Sequence, residues 1–194
     1  MIGAVVLAAG RSRRMGACKT LLPVGGVPMI TRLVRALAEC AVSEIRVVAA
    51  ADAPAIAAAL EGLPARLVRN PDPDSAMLDS VRCGLRALPA ACQAALIVPG
   101  DQARLAPDII RPLLAAFAQG SHGLVVPLCR GRRGHPLLVA RRHFAETLTG
   151  LDDTGLRGLL RRHPEDVREV PVEHPGVLDD VDTPEDYQRL RERG

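Results

Sequence analysis

Residues Met1 to Pro28 read MIGAVVLAAGRSRRMGACKTLLPVGGVP. Ile2 to Ala9 is an unbroken apolar run of strand length, the pattern of a strand buried on both faces of a parallel sheet. The run empties into a loop bracketed by Gly10 and Gly16, which carries Arg11, Arg13 and Arg14 and leads to Lys19. Glycines let backbone N–H groups come close to an anion and the cations neutralise it, so the outline is that of a phosphate cradle. Lys19 is the only lysine among 25 basic residues, the rest being arginine. In a chain so biased, a lone lysine is either chance or a place where a compact ammonium does what a planar guanidinium does not. A surface loop of solvated arginines is the plainer reading of the same residues.

Two familiar phosphate motifs are excluded by spacing. Gly10 and Gly16 do not fit G-x-G-x-x-G, and no G-K-S/T follows a four-residue gap. The 194 residues, 48% of them hydrophobic, suffice for a single domain spanning 1–194 with a sizeable core. A net charge of +3 demands neither nucleic acid nor membrane, and 2% aromatics leave no stacking platform for single strands. The cations are local instead, concentrated at positions 11–19 and 130–133. Five cysteines (Cys18, Cys40, Cys83, Cys92, Cys129) form no C-x-x-C pair, which argues against both a disulfide framework and a zinc site. No apolar stretch reaches membrane-spanning length and no charged leader precedes the first strand, so a cytoplasmic protein is expected.

Working outward, Gly25-Gly26-Val27-Pro28 reads as a turn. Met29 to Ala41 then places Met29, Ile30, Leu33, Val34, Leu37, Ala38 and Ala41 on one helical face, with Arg32, Arg35 and Glu39 opposite. Ile45 to Ala51 is a second buried strand, and Asp52 is expected to cap an Ala-rich helix through Leu60 with Pro54 in its first turn. Arg66 to Arg69 is a brief strand, 70–75 a loop, and Met77, Leu78, Val81, Leu85 and Leu88 a helical stripe stopped by Pro89. Ala94 to Val98 is a further buried strand that runs into Pro99-Gly100-Asp101-Gln102. Pro107 opens a helix to about Gln119, with an early kink expected at Pro112. Segments 123–128, 137–140 and 167–172 read as strands, with two short helices around 151–155. Val177 to Asp182 reads as the last strand, followed by a helix with Thr183 at its N-cap, Pro184 at N1 and Asp186 as the capping-box acid. Strands alternating with helices predict a doubly wound, mostly parallel α/β sheet of the Rossmann-like kind, with irregular strands added on one side.

In such a sheet the ligand lies beyond the carboxyl ends of the strands. That rule gathers the loops at 10–19, 70–80 and 99–102 into one crevice. Asp101 follows a hydrophobic strand directly, where phosphates would lie, and suits Mg²⁺, which takes few carboxylate oxygens and shares the rest with phosphate and water. A turn aspartate in a Pro-Gly-Asp loop is the alternative. Asp179, Asp180 and Asp182 cluster near the last helix, and Asp182 directly precedes the capping Thr183, which pre-positions it as a second carboxylate.

Leu7-Ala8-Ala9-Gly10-Arg11-Ser12-Arg13-Arg14-Met15-Gly16-Ala17-Cys18-Lys19, followed by Leu21-Leu22-Pro23, resembles the nucleotidyltransferase signature L-A-(A/G)-G-x-S-x-R-M-G-x-x-K. The two alanines and the Leu-Leu-Pro look like the molybdenum cofactor cytidylyltransferase group. Pro99-Gly100-Asp101-Gln102 and Asp180-Val181-Asp182-Thr183-Pro184-Glu185-Asp186 match its P-x-D-Q and D-x-D-T-P-E-D motifs. Gly134-His135-Pro136 and Asp153-x-Gly155-x-Arg157 match its G-H-P and D-x-G-x-R elements. Ala76, Ala103 and Asp152 depart from the pattern, standing where glycine, proline and glycine are usual.

The resemblance implies a GT-A-like nucleotidyltransferase fold and a Mg²⁺-dependent transfer of CMP from CTP to the phosphate of molybdopterin. It further implies that Asp101 and Asp182 hold the metal, and that Arg14, Lys19 and Asp101 are catalytic. Leu7, Ala8, Ala9, Gly10, Ser12, Lys19, Asn70 and Ser80 would bind the nucleotide, the backbone of Leu7 to Gly10 reading the base. Arg133, Gly134, His135 and Asp153 would face the acceptor, although His135 is equally readable as a plain turn residue. A monomer is expected, with a recipient molybdoenzyme or its chaperone as a partner. The same chemistry on GTP or a phosphosugar, or a non-catalytic nucleotide-binding accessory protein, are the competing readings.

Overall fold

In the computed structural model of the chain, described here for residues 1–10, 18–72, 75–178, 181 and 183–192, the first strand lies inside the sheet, paired on both sides. In chain order the elements are β1 (Ile2–Leu7), β2 (Pro23–Val24), β3 (Val27–Pro28), α1 (Met29–Ala38), β4 (Glu44–Ala49), α2 (Ala53–Ala59), β5 (Ala65–Arg69) and α3 (Met77–Arg86). There follow β6 (Ala94–Pro99), α4 (Pro107–Ala118), β7 (Leu124–Cys129), β8 (Arg132–Arg133), β9 (Leu137–Ala140), α5 (Phe144–Thr149), α6 (Gly155–Arg162), β10 (Val167–Pro171) and α7 (Pro184–Glu192). The sheet runs β10-β7-β9-β6-β1-β4-β5, with β8 paired to β7, while β2 and β3 form a separate hairpin.

β1 lies parallel between β4 and β6, with Leu7 level with both Val48 and Pro99. β9 is antiparallel to β6 and β7, so β7 again points the same way as β6, and β10 lies parallel beside it. Successive residues of β1 are buried in opposite faces. Val6 joins Ile30, Leu33 and Leu37 of α1, Ile56 of α2 and Ile109 and Leu113 of α4. Val5 joins Leu78, Val81 and Leu85 of α3, Phe144 of α5 and Leu159 of α6. Both faces are therefore covered, which is why the central strands read as continuous apolar runs rather than alternating ones. A smaller cluster of Val24, Met29, Ala103, Val181 and Leu190 seats α7 against the hairpin, and Tyr187 donates its hydroxyl to Pro23 O at 2.6 Å.

Gly84 lets α3 come close to the sheet, because a Cβ there would lie 2.2 Å from Val5 Cγ1. Alanine would otherwise favour the helix by about 1 kcal/mol over glycine. Overpacking a strand inside the sheet costs about 1–3 kcal/mol and outweighs that gain. Gly84→Ala is therefore expected to lower the melting temperature. A variant that melts at or above the parent would mean that α3 lifts off the sheet freely.

Three expectations are corrected. The described residues of the expected last strand, 177, 178 and 181, form no strand: Pro175–Leu178 is a 3-10 turn, and Val177 is buried with its carbonyl accepting the His135 N–H at 2.9 Å. A Pro-Gly pair opens that segment and favours the turn, while β10 has already taken the edge position beside β7. Asp52 stands at the N-cap of α2 without a capping bond, since its φ and ψ of −86° and 12° are not extended and Pro54 at the second helical position has no N–H to offer. α1 ends at Ala38 rather than 41, where Ala41 turns left-handed at φ 56°. α4 spans Pro107–Ala118 with Pro112 inside it, close to the extent read from the sequence. The capping box is present as read: Thr183 N–H donates to Asp186 Oδ2 at 2.9 Å and Asp186 N–H to Thr183 Oγ1 at 3.2 Å.

Candidate active site

β1 and β6 end side by side, and the backbone beyond them frames the crevice. The Gly100 N–H donates to Leu7 O at 2.9 Å, an approach that a Cβ would block by coming within 2.6 Å of the same oxygen. The turn so made delivers Asp101 opposite Lys19, which opens a 3-10 turn at 19–21. Lys19 Nζ donates to Asp101 Oδ2, and the two side chains are 19% and 14% exposed. Both therefore sit at a rim: shielded enough to strengthen the pairing of charge, open enough to exchange partners. A cavity of about 230 Å³ lies over them, with Leu7, Ala9, Gly10, Thr20, Ser75, Met77, Ser80, Pro99 and Gly100 on its walls.

Two of these wall residues are fixed from behind by Asn70. Its Nδ2 donates to Ser75 Oγ at 2.8 Å and to Ser80 Oγ at 3.0 Å, while its Oδ1 accepts the Asp72 N–H at 3.2 Å. Asn70 is buried and does not itself face the cavity; it aims Ser75 and Ser80, which do. Ala8 is also off the wall, packed into the core, with its N–H given to Val48 O at 2.8 Å. Burial pushes the Cys18 thiol up from its ordinary value, so the residue preceding Lys19 is a poor nucleophile at neutral pH.

A second cavity of about 550 Å³ adjoins the first, and Leu7, Met77 and Pro99 face both. Its far side is made by Arg133, Gly134 and His135 together with Thr154, Gly155, Leu156, Arg157, Leu160 and Arg161. That size fits a small-molecule site, which spans about 300–1,000 Å³, and its cations suit an anionic occupant. Arg133 is held at 2.7 Å from Glu169 Oε1. Asp153 is exposed and stands outside the lining, which its neighbours Thr154 and Gly155 supply instead. Arg161 was not legible among the acceptor residues; its spacing of four from Arg157 on α6 was the available signal. Asp152, the departure from the usual glycine, accepts a bond at 2.8 Å from Arg82, whose guanidinium also reaches Thr147 O and Gly150 O. The Arg82 bond pulls the Asp152 carboxyl below its ordinary range. This departure therefore ties the acceptor-side loop to α3.

Arg14, Ser12 and Asp182 lie outside the described residues. Val181, the neighbour of Asp182, is buried in one cluster with Ala103, two positions beyond Asp101. A divalent ion such as Mg²⁺ needs one or two carboxylates and fills its remaining positions from water and phosphate. Asp101 at the cavity rim fits that demand, with oxygen rather than histidine or cysteine ligands around it.

A doubly wound sheet with a lysine and a metal-compatible carboxylate paired beyond the ends of β1 and β6 is the frame of a nucleotidyltransferase. The chain belongs to the family described as the MobA-like NTP transferase domain, which residues 4–167 match, and it is an enzyme of that class. It is 28% identical to the molybdenum cofactor cytidylyltransferase of Escherichia coli K12 across 99% of this chain and 96% of that one. It is 31% identical to a probable molybdenum cofactor guanylyltransferase of Natronomonas pharaonis across 97% and 96%, and 31% identical to a nicotine blue oxidoreductase of Paenarthrobacter nicotinovorans across 96% and 94%. Among solved structures it superposes on the Rv0371c protein of Mycobacterium tuberculosis with a TM-score of 0.85, 29% identity and coverage of 99% and 98%. That protein has also been solved as a complex with manganese, which superposes at a TM-score of 0.80 with 27% identity and coverage of 100% and 99%. Among the described residues no helix is long and apolar enough to cross a membrane.

Proposed function

We propose that the chain, as a single domain over 1–194, transfers CMP from CTP to the terminal phosphate of molybdopterin and releases pyrophosphate. The observation that carries this reading is the pairing of two adjoining cavities, one with Lys19 and Asp101 at its rim and one walled by arginines. An oxygen of the acceptor phosphate bonds to the α-phosphorus of CTP, the bond from that phosphorus to the bridging oxygen breaks, and the pair of electrons leaves with pyrophosphate. A phosphate monoester is already ionised at neutral pH, so no general base is called for, and positioning and charge neutralisation are the demands.

Lys19, with Arg14, would take the triphosphate and the charge that develops on pyrophosphate. Asp101, with Asp182, would hold Mg²⁺, which when bound polarises the phosphate oxygens. Lys19 and Asp101 already sit as an ion pair, and Mg²⁺ with triphosphate offers each of them a partner of the same sign as the one it gives up. The backbone at Leu7, Ala9 and Gly10 would read the base, with Ser75 and Ser80 aimed at the nucleotide by Asn70. Gly134, His135, Arg133 and Arg157 would receive the acceptor's anionic groups. The reading takes a monomer in the cytoplasm that hands its product to a recipient molybdoenzyme or its chaperone.

CTP is the nucleotide favoured here because Ala9 puts a methyl on the cavity wall, where the guanylyl group usually has glycine. A methyl against the smaller pyrimidine discriminates by about 1–3 kcal/mol. GTP is the second reading, supported by the guanylyltransferase among the relatives. Pyrophosphate release with molybdopterin and each of CTP, GTP and ATP decides between them: CTP should give the highest kcat/KM, and a preference for GTP overturns the base assignment.

A further inference from the structure

The end of the sheet opposite the crevice carries a second cluster of chemistry-bearing side chains. Two short segments contribute to it, His143-Phe-Ala-Glu146 at the start of α5 and His163-Pro-Glu-Asp166 between α6 and β10. Each is a histidine followed at the third position by an acid, a spacing that puts both on one side of a helical turn. Each imidazole is bonded to the acid of the other segment: His143 Nε2 lies 2.6 Å from Asp166 Oδ2, and His163 Nε2 lies 2.7 Å from Glu146 Oε2. The ring centroids are 4.7 Å apart with the planes tilted by 55°. One ligand atom each from His143, Glu146 and His163 lie within 4.8 Å of one another, and His143 is buried.

The outer sides of both carboxylates are already committed. Asp166 Oδ1 accepts the Gly123 N–H at 2.7 Å and Arg142 at 2.5 Å, and Glu146 Oε1 accepts Arg162 at 3.1 Å. Burial pushes the Asp166 carboxyl up, but the bonds from Arg142, His143 and Gly123 more than reverse this and leave it well below the carboxylate range. The His163 bond lowers Glu146 as well. Glu146 keeps Oε2 turned to the His163 imidazole.

We propose that His143, Glu146 and His163 bind a divalent first-row transition ion of the Zn²⁺ type, with Asp166 holding the His143 ring in place. Two imidazoles and one carboxylate are a donor set that such ions favour, and a carboxylate on the far nitrogen of a ligating histidine is the usual outer partner. Ligand atoms about 2.0–2.2 Å from a tetrahedral ion stand about 3.3 Å apart, so the His163–Glu146 spacing need open by less than about 1 Å. The ion would clamp α5 to the α6–β10 connection. It would stand apart from the oxygen-lined crevice, where Mg²⁺ is the better match.

The test is a Co²⁺ titration of the tag-free, chelator-treated protein with Mg²⁺ in excess, read by visible d–d absorption, with melting temperature followed against added Zn²⁺. The wild type should develop the absorption of a low-coordinate Co²⁺ site and melt higher with Zn²⁺. His163→Gln, on the half-exposed member of the cluster, should weaken both ions by about tenfold or more while keeping Mg²⁺-dependent pyrophosphate release. Glu146→Gln should act likewise, and far-ultraviolet circular dichroism reports whether either variant is folded. A wild type that neither absorbs nor shifts overturns the site and leaves a hydrogen-bonded clamp. Absorption that persists unchanged in folded His163→Gln places the ion elsewhere and overturns it equally.

Discussion

Asp101→Asn is expected to lower turnover by about a thousandfold or more, on the scale of losing a preorganised electrostatic partner of the reacting phosphates, while the fold survives. The side chain stands on the loop beyond β6, at the rim of the cavity rather than in either core cluster. Asparagine keeps the shape and one acceptor oxygen but removes the charge that a hard cation seeks. Nucleotide binding should weaken only to the extent that it depends on Mg²⁺. The measurement is pyrophosphate release against Mg²⁺ concentration, with thermal melts in parallel. Asp182→Asn should behave alike, whereas Asp179→Asn should be nearly silent. Near-normal turnover in Asp182→Asn would reduce the second carboxylate to a residue of the junction before α7.

Lys19→Ala is expected to cost two to three orders of magnitude in kcat, by about the same electrostatic argument. Lys19→Arg should also be impaired, because a planar fork does not reproduce a point charge in a tight 3-10 turn. The contact between Lys19 and Asp101 adds a sharper form of the test. If the two were only an ion pair holding two loops together, the double variant should recover stability lost in either single one, and activity would follow stability. If they serve opposite charges of one substrate, stability and activity should separate: coupling in the melts, with the double variant no more active than the worse single. Full activity in Lys19→Ala would remove it from the mechanism.

The parts of the fold that sequence disclosed are those whose burial is continuous. Ile2 to Leu7 and Ala94 to Val98 are covered on both faces, so they appear as apolar runs, and α1 and α3 each turn one face to the sheet and one to water. The crevice was legible for the same reason, since parallel strands end where their apolar runs end. Side chains whose position depends on distant backbone were not legible. Asn70 reads as a ligand contact from its motif, yet its bonds to Ser75 and Ser80 turn it into a support. The antiparallel insertion of β9 between β6 and β7 leaves no trace in local pattern, because only tertiary pairing decides which strand fills that gap. His143 and His163 look unremarkable separately; the turn that begins β10 is what brings them face to face.

The wall shared by the two cavities has a kinetic meaning. Leu7, Met77 and Pro99 face both spaces, and none of the three carries a nucleophile. Substrates lodged on either side would form a ternary complex, and the nucleotidyl group would pass straight across without resting on the protein. Such an enzyme is a meeting place rather than a relay: both substrates must be aboard before either changes, and the configuration at phosphorus inverts once.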